Sequence, residues 1–352
     1  MAVKYLSGNR LWGTNAERTG MTTEGSPSQT SWKELDRATL DGSSADVDVT
    51  GLTAKDNLMI LVYSIGSNTN DAFISFNGDE GGNYALAYSR DGTEQTPDTS
   101  QGIGLRLDQG STTPQFAVIT IKNIASLEKL VVGHTITQST AGAGNAPNRQ
   151  EWTGKWANTS DAITQVTLNR ASGDFEDGTE LVVLGCDDDE ADSGTNFWQE
   201  LGKAEQTTDA RTIDTGAITA KKYLWVESSY KYTSGNDPFL QFNSDHDSNY
   251  IYRRSMAGGS DTTSGANGGA VDNANTDYNF YDTNFIVNIS DKEKLVICHT
   301  AHDVANTGAD NAPARREFAG KWAEDGEQIT SVQYYLDSTG NMQGYIKVWG
   351  SD

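Results

Sequence analysis

The chain has 352 residues, enough for two domains, and its 26 basic and 49 acidic side chains give a net charge of −23. A nucleic-acid surface needs clustered Lys and Arg, which the sequence lacks, so nucleic acid is not a predicted partner. The sequence has no long apolar run and starts with "MAVKYLSGNRLWG". Neither membrane insertion nor an ordinary signal peptide is therefore expected.

Residues 1–30 have no counterpart later in the chain. The stretch "VKYLSGNRLWGT" has the composition of a strand, and a Gly/Ser/Thr-rich segment follows it. Two interpretations stay open. The segment is either an extra strand or loose tail of the first domain, or an arm that pairs with the sheet edge of a neighbouring subunit.

The rest of the chain is an internal duplication. "NAPNRQEWTGKWA" at 145–157 and "NAPARREFAGKWA" at 311–323 are identical at nine of thirteen positions, where average composition predicts about one match. "EKLVVGHT" and "EKLVICHT" repeat at nearly the same offset. We predict three further segments: a first domain at 31–186, an acidic linker at 187–193 and a second domain at 194–352.

Each copy contains short apolar runs separated by turn-forming residues. Examples in the first copy are "NLMILVYSI", "QFAVITIKNI", "KLVVGHTI" and "ELVVLG". No amphipathic helix pattern is visible, and eight or more short strands in one domain are typical of a two-sheet sandwich. We predict an all-β protein of two tandem antiparallel β-sandwich domains with jelly-roll-like topology.

One polar turn motif occurs twice, as "FNGDEGGNY" at 76–84 and "FNSDHDSNY" at 242–250. Its oxygen-bearing side chains are candidate calcium ligands, and its tyrosines are candidate ligand contacts. The candidate calcium ligands are Asn77, Asp79, Asn83, Asn243, Asp245 and Asn249, and the candidate contacts are Tyr84 and Tyr250. Asn and Asp also close turns through their own backbone, so a purely structural turn is the favoured interpretation, with calcium ahead of sugar as a ligand.

The repeated aromatic strands have a structural interpretation. In "RQEWTGKW", Trp152 and Trp156 share one face, and Arg149 and Lys155 share the other. The aromatic face is predicted to lie in the sandwich core and the charged face on the exposed surface. The predicted structural aromatic residues are Trp32, Trp152, Trp156, Trp198, Phe318 and Trp322.

The sequence offers little chemistry for catalysis or for transition metals. His134 and His299 lie on apolar strand faces and are predicted core residues, and Cys186 and Cys298 are predicted buried thiols. Zinc-ligand spacings, a nucleophile elbow and a phosphate loop are all missing from the sequence. We therefore expect a protein that is not an enzyme and has no cofactor, with calcium as the one candidate.

Five stretches carry a resemblance: "KYLSGNRLWGT", "SWKELDRATL", "LTAKDNLMILVYSI", "FNGDEGGNYALAYS" and "RQEWTGKWANTSDAITQVTL". The chain resembles tandem jelly-roll-domain virion proteins of environmental, largely marine, tailed phages and archaeal viruses. That resemblance implies a structural protein of a virus particle, either a decoration, fibre or spike component or a double-jelly-roll shell protein. It implies no catalytic residues.

The implied partners are identical subunits, other capsid proteins and a host-surface glycan, and the implied location is the virion. Assembly would bury sheet edges, the N-terminal arm and surface aromatics such as Trp12 or Trp349. A glycan-binding module is the alternative function, because eight tryptophans and a duplicated polar turn also suit sugar recognition. A glycan depolymerase is a third hypothesis.

Overall fold

The protein is described by a computed structural model covering residues 31–67, 72–95, 98–100, 102–104, 113–187, 196–234, 238–266, 268–270, 278–302, 313–336 and 340–352. Every regular element in these ranges is a β-strand. They include no helix with the length and apolar character needed to cross a membrane. The predicted N-terminal arm, with Trp12, and the predicted linker after Asp187 lie outside them.

The first repeat forms a large and a small antiparallel sheet. Its strands are β1 (Lys33–Thr39), β2 (Asp46–Val49), β3 (Asn57–Ser64), β4 (Ala72–Phe76), β5 (Tyr84–Arg90), β6 (Thr93–Glu94), β7 (Asp98–Ser100), β8 (Ile103–Gly104), β9 (Gln115–Lys122), β10 (Lys129–Thr137), β11 (Asn148–Trp156), β12 (Val166–Arg170) and β13 (Glu180–Cys186). The large sheet has the order β1-β13-β3-β9-β10-β11-β5-β6, with β7 also pairing with β5. The small sheet has the order β2-β12-β4-β8.

The second repeat forms an equivalent pair of sheets. Its strands are β14 (Gln199–Ala210), β15 (Thr212–Asp214), β16 (Tyr223–Ser234), β17 (Pro238–Phe242), β18 (Tyr250–Met256), β19 (Thr262–Ala266), β20 (Gly269–Ala270), β21 (Asn279–Val287), β22 (Lys294–His302), β23 (Ala314–Trp322), β24 (Val332–Leu336) and β25 (Asn341–Ser351). The large sheet has the order β14-β25-β16-β21-β22-β23-β18-β19 and the small sheet β15-β24-β17-β20.

The two repeats therefore share one topology. In each large sheet the first and last strands of the repeat pair with each other, and the other strands follow in the same sequence. The short strands β6 and β7 occupy the edge that β19 occupies in the second repeat. The prediction of an all-β protein with jelly-roll-like antiparallel sandwiches is confirmed.

Each sandwich has its own hydrophobic core between its two sheets. In the first repeat the core includes Phe76, Trp152 and Trp156, and in the second it includes Phe242 and Trp322. Because apolar side chains alternate with outward-facing ones along the strands, one face of long strands such as β3, β9 and β11 supplies this core.

A third apolar cluster joins the outer faces of the two large sheets. Met59 and Leu61 of β3 and Phe116 of β9 belong to it, together with Leu295 and Ile297 of β22. Strand β3 is thus covered on both faces, which explains its continuous apolar sequence "NLMILVYS". The shared layer was not predicted from the sequence.

The structure corrects three sequence-based expectations. The charged face of the "RQEWTGKW" strands is not uniformly exposed, because Arg149 is 3 % exposed and Lys321 1 %. Trp349, predicted as a surface aromatic, is 5 % exposed and belongs to the shared cluster. Cys298 is buried as predicted, whereas Cys186 is only half-buried; neither cysteine forms a disulfide.

Candidate functional site

The repeated polar motif forms the same turn in both sandwiches. It begins where β4 or β17 ends and finishes where β5 or β18 begins. Asn77 has a φ of 52° and Asn243 a φ of 53°, both in the left-handed region that Asn tolerates better than most residues.

The Asn side chains fasten this turn to a neighbouring loop. Asn77 Oδ1 accepts hydrogen bonds from the backbone N–H groups of Thr164 at 2.8 Å and Gln165 at 3.0 Å. Its amide nitrogen donates to the carbonyl of Ala162 at 2.9 Å. In the second repeat Asn243 Oδ1 accepts the two equivalent bonds at 2.7 and 3.1 Å.

The Asp side chains are surrounded by N–H donors. The Asp79 carboxylate accepts from the backbone of Gly81 at 3.0 Å, from Asn83 Nδ2 at 3.0 Å and from Trp156 Nε1 at 2.7 Å. Desolvation opposes ionisation of Asp79, but these hydrogen bonds outweigh it and lower the pKa of the carboxyl. Asp245 accepts the same three kinds of bond, with the indole of Trp322 at 2.7 Å.

The two tyrosines of the motif are buried inside the turn. Tyr84 is 1 % exposed and Tyr250 2 %. The Tyr84 hydroxyl accepts from the backbone N–H of Phe76 at 2.8 Å and donates to the carbonyl of Asp79 at 2.9 Å. Its ring stacks on Trp156 with centroids 6.3 Å apart. Neither tyrosine presents a surface to a soluble ligand.

These contacts bear directly on the calcium prediction. The amide oxygens of Asn77 and Asn243 and the carboxylates of Asp79 and Asp245 face N–H donors, which a cation would have to displace. In the ranges that the structure describes, no group of three or more His, Cys, Asp or Glu side chains is arranged to hold a metal. Calcium at this motif stays a prediction, and the geometry describes a turn fastened by its own side chains.

A different feature has the shape of a binding site. An open cleft of about 760 Å³ is lined by residues of both repeats, and its volume lies within the usual size range of ligand pockets. Its apolar walls carry Val118 and Val132 from the first repeat, and Phe285 and Ile297 from the second.

A pair of histidines forms the floor of the cleft. His134 of β10 and His299 of β22 occupy equivalent positions in the two repeats, and His134 Nδ1 lies 2.6 Å from His299 Nε2. Burial lowers the pKa of His134 well below its usual range, and His299 and Arg149 act in the same direction. Although His299 keeps an exposed surface in the cleft, desolvation, with the charges of Arg149 and Arg315, lowers its pKa to about 4. Both rings are therefore neutral near pH 7.

An arginine–glutamate pair from each repeat flanks the histidines. Arg149 contacts Glu151 on β11, and Arg315 contacts Glu317 at 2.8 Å on β23. Glu151 Oε1 also lies 3.3 Å from His134 Nε2. The cleft therefore has carboxylates of both repeats beside a neutral imidazole pair.

A buried ion network fixes the two walls relative to each other. Arg149 donates to both carboxylate oxygens of Asp261, at 3.0 and 2.6 Å, and both side chains are almost fully buried. Arg253 of the second repeat donates to the carbonyl of Pro147 at 2.8 Å and pairs with Asp91 at 3.2 Å. A buried, bidentate Arg–carboxylate contact gives this junction a defined geometry.

The predicted structural aromatics lie beneath the cleft or away from it. Trp152 is 2 % exposed and passes under Gly133, where an added Cβ would come 2.0 Å from the indole ring. Trp156 and Trp322 are also buried, in the sandwich cores beside the repeated turns. Trp198 is buried in the shared layer, against which half-buried Trp32 packs; Phe318, by contrast, lies in the core of the second repeat.

Sequence reasoning missed the cleft, although it singled out both histidines. Each repeat has a histidine at the same strand position, the sixth residue of "KLVVGHT" or "KLVICHT", and both were predicted to lie in the core. His134 is buried as predicted, whereas His299 is exposed in the cleft. The sequence did contain a signal for the cleft. In both copies an Arg-x-Glu motif lies on the strand next to the histidine and places charged groups beside it.

Comparisons with known proteins identify no family. No protein-family model matches the sequence, and no curated protein matches it. Among solved structures, the LG1–3 region of the laminin α2 chain aligns with 8 % identity and a TM-score of 0.20, over 89 % of this chain and 64 % of that chain. Domains LG4–5 of the mouse laminin α1 chain align with 11 % identity and a TM-score of 0.17, over 93 % and 91 %. At these scores the likeness carries no argument.

Proposed function

We propose that the protein is a carbohydrate-binding protein, not an enzyme, and that the cleft between its two repeats takes the ligand. One observation carries the proposal. A single cleft of about 760 Å³ has apolar walls and also contains carboxylates and imidazoles that can form hydrogen bonds. No comparison with a known protein enters it.

The lining suits a polyhydroxylated ligand. A sugar ring has an apolar C–H face, which would pack on Phe285, and hydroxyls, which would donate to the carboxylates of Glu151 and Glu317. The Arg315 guanidinium beside Glu317 adds a donor for ring or hydroxyl oxygens. Because the carboxylates are paired with arginines, they serve as hydrogen-bond acceptors, which is a role in binding more than in proton donation.

The test is a glycan array probed with the full chain, followed by calorimetry on the best ligand. Glu317→Gln and Arg315→Gln alter the cleft where it is accessible to solvent and should each weaken binding about tenfold, the effect of one lost charge-assisted hydrogen bond. Glu205→Gln, an exposed change on β14, is the matched control. No binding across a broad array contradicts the proposal, and binding insensitive to both cleft variants contradicts the site.

A second candidate function is a structural component of a virus particle, such as a decoration, fibre or spike protein. It comes from the motif resemblance and is favoured by one observation, an exposed apolar strip around Leu130, which is 62 % exposed. The two functions are compatible, because a protein on the surface of a virus particle can bind glycans on the host cell. Mass spectrometry of purified virus particles tests it; particles with other capsid proteins but without this chain contradict it.

A further inference from the structure

The exposed apolar strip consists of Leu127, Leu130 and Val132, which are 56, 62 and 58 % exposed. Leu130 and Val132 point outward from β10 of the first repeat. The equivalent side chains on β22, Leu295 and Ile297, are 0 and 1 % exposed. The same strand face is therefore apolar in both repeats and covered in only one of them.

An ion pair beside the strip shows the same contrast. Lys155 pairs with Glu128 at 2.9 Å in the first repeat, where their side chains are 43 and 42 % exposed. The equivalent pair in the second repeat, Lys321 and Glu293, is 3.1 Å apart with side chains 0 and 7 % exposed. The two repeats therefore carry equivalent apolar residues and an equivalent Lys–Glu pair on this strand face. Only those of the second repeat are buried.

The surface that covers the second copy belongs to the first sandwich. Gln138 contacts Glu293 near one end of β22, and His134 contacts His299 farther along, so β10 and β22 cross in opposite directions. The carbonyl of Thr140 accepts from Lys321 at 2.7 Å. The apolar face of β22 therefore packs against another sandwich of the same chain. The exposed strip on β10 adjoins this junction, because Val132 lies next to His134 at the cleft.

We propose that the strip is the contact surface for a second copy of this chain, with the two copies related by a two-fold axis. A two-fold contact needs a self-complementary surface, and the strip provides one, because Glu128 of each copy can face Lys155 of the other. Charge also favours this location. The chain carries a net charge of −23, which makes copies repel each other. The strip instead carries Lys122 and Lys155 against one Glu128.

The expected dimer is reversible. Three apolar side chains form the centre of a contact that must bury roughly 1,000 Å² or more to be stable, so its strength depends on the surrounding polar rim. Sedimentation velocity of the full chain over a wide concentration range should show a monomer–dimer equilibrium. Leu130→Lys should abolish the dimer, whereas Tyr345→Lys, at an exposed aromatic on β25 of the second repeat, should leave it intact.

A charge-reversal experiment tests the two-fold arrangement itself. Glu128→Lys and Lys155→Glu should each weaken self-association, because each places like charges opposite one another. Mixing the two variants should restore a dimer that contains one of each. Both positions are exposed, so the variants should fold normally. A wild-type monomer at all concentrations, or a dimer indifferent to Leu130→Lys, overturns the proposal; failure of the mixed dimer overturns the two-fold arrangement.

Dimerisation and glycan binding are separable in these experiments. Glu317→Gln should dimerise normally, and Leu130→Lys should keep its glycan affinity. A failure of the contact surface therefore leaves the cleft proposal standing, and the reverse also holds.

Discussion

His134 Nδ1 and His299 Nε2 lie 2.6 Å apart, so the same histidine of the two repeats meets its counterpart across the junction. Their rings are 4.7 Å apart between centroids and inclined by 31°. Strand β10 thus packs on its own duplicate, β22, in a junction that buries Leu295 and Ile297 but leaves the equivalent Leu130 and Val132 exposed. The duplication produced an internal interface as well as a second module.

Stability should fall as the pH drops from 7 toward 5. The folded-state pKa values of both histidines are lowered, to about 4 for His299, whereas an unfolded histidine titrates near 6.5. Below that value the unfolded chain binds protons that the folded chain does not, so the free energy of unfolding decreases. His134, which is almost fully buried, should contribute most of this loss. Urea unfolding at a series of pH values measures it.

The control is His299→Gln, which removes one titrating group but keeps a polar side chain at the cleft floor. Its unfolding free energy should depend less steeply on pH than that of the wild type between pH 6.5 and 5. Equal slopes for the two proteins would show that His299 titrates as in the unfolded chain.

The sandwich architecture could be predicted because its signals are local. Strands such as β9 and β10 appear in the sequence as apolar runs between turns, and the duplicated motifs fix their equivalence. The shared layer was harder to foresee, because burial of a second face depends on how two folded sheets meet. A signal existed in β3, "NLMILVYS", whose lack of alternation indicates a strand covered on both sides.

The candidate site was less predictable than the fold. A sequence shows that Asn77 and Asp79 carry oxygens, but it does not show that backbone and indole N–H groups will occupy them. It likewise shows Arg149 among charged residues without revealing Asp261 as its buried partner, 112 positions away. Both outcomes depend on long-range packing, which local periodicity does not encode.

The Asp79–Trp156 contact should be a principal stabiliser of the first sandwich. Asp79→Ala removes a charged acceptor from three N–H donors and should cost about 3 kcal/mol in unfolding free energy. A double-mutant cycle with Trp156→Phe should give a coupling of at least about 1 kcal/mol. Asp41→Ala, at an exposed position, is the matched control and should be neutral. A coupling near zero would mean that the indole bond contributes nothing to folding.

Removal of calcium should leave the protein unchanged. The oxygens of Asn243 and Asp245, like those of the first repeat, already accept hydrogen bonds from N–H groups of the protein. Differential scanning calorimetry should therefore give the same Tm in excess chelator and in millimolar calcium. A rise in Tm that increases with calcium concentration and disappears in Asp245→Asn would instead establish the cation site that the sequence suggested.

Matched substitutions at Lys321 and Lys155 should distinguish a packed junction from two domains on a tether. Lys321 is fully buried, pairs with Glu293 and donates to the carbonyl of Thr140. Lys321→Met leaves those acceptors buried without a donor and should cost about 3 kcal/mol, whereas Lys155→Met on the exposed strand should cost less than about 0.5 kcal/mol. Urea unfolding of both variants measures the difference. If the repeats were only tethered, both lysines would face water and the two variants would be equally stable.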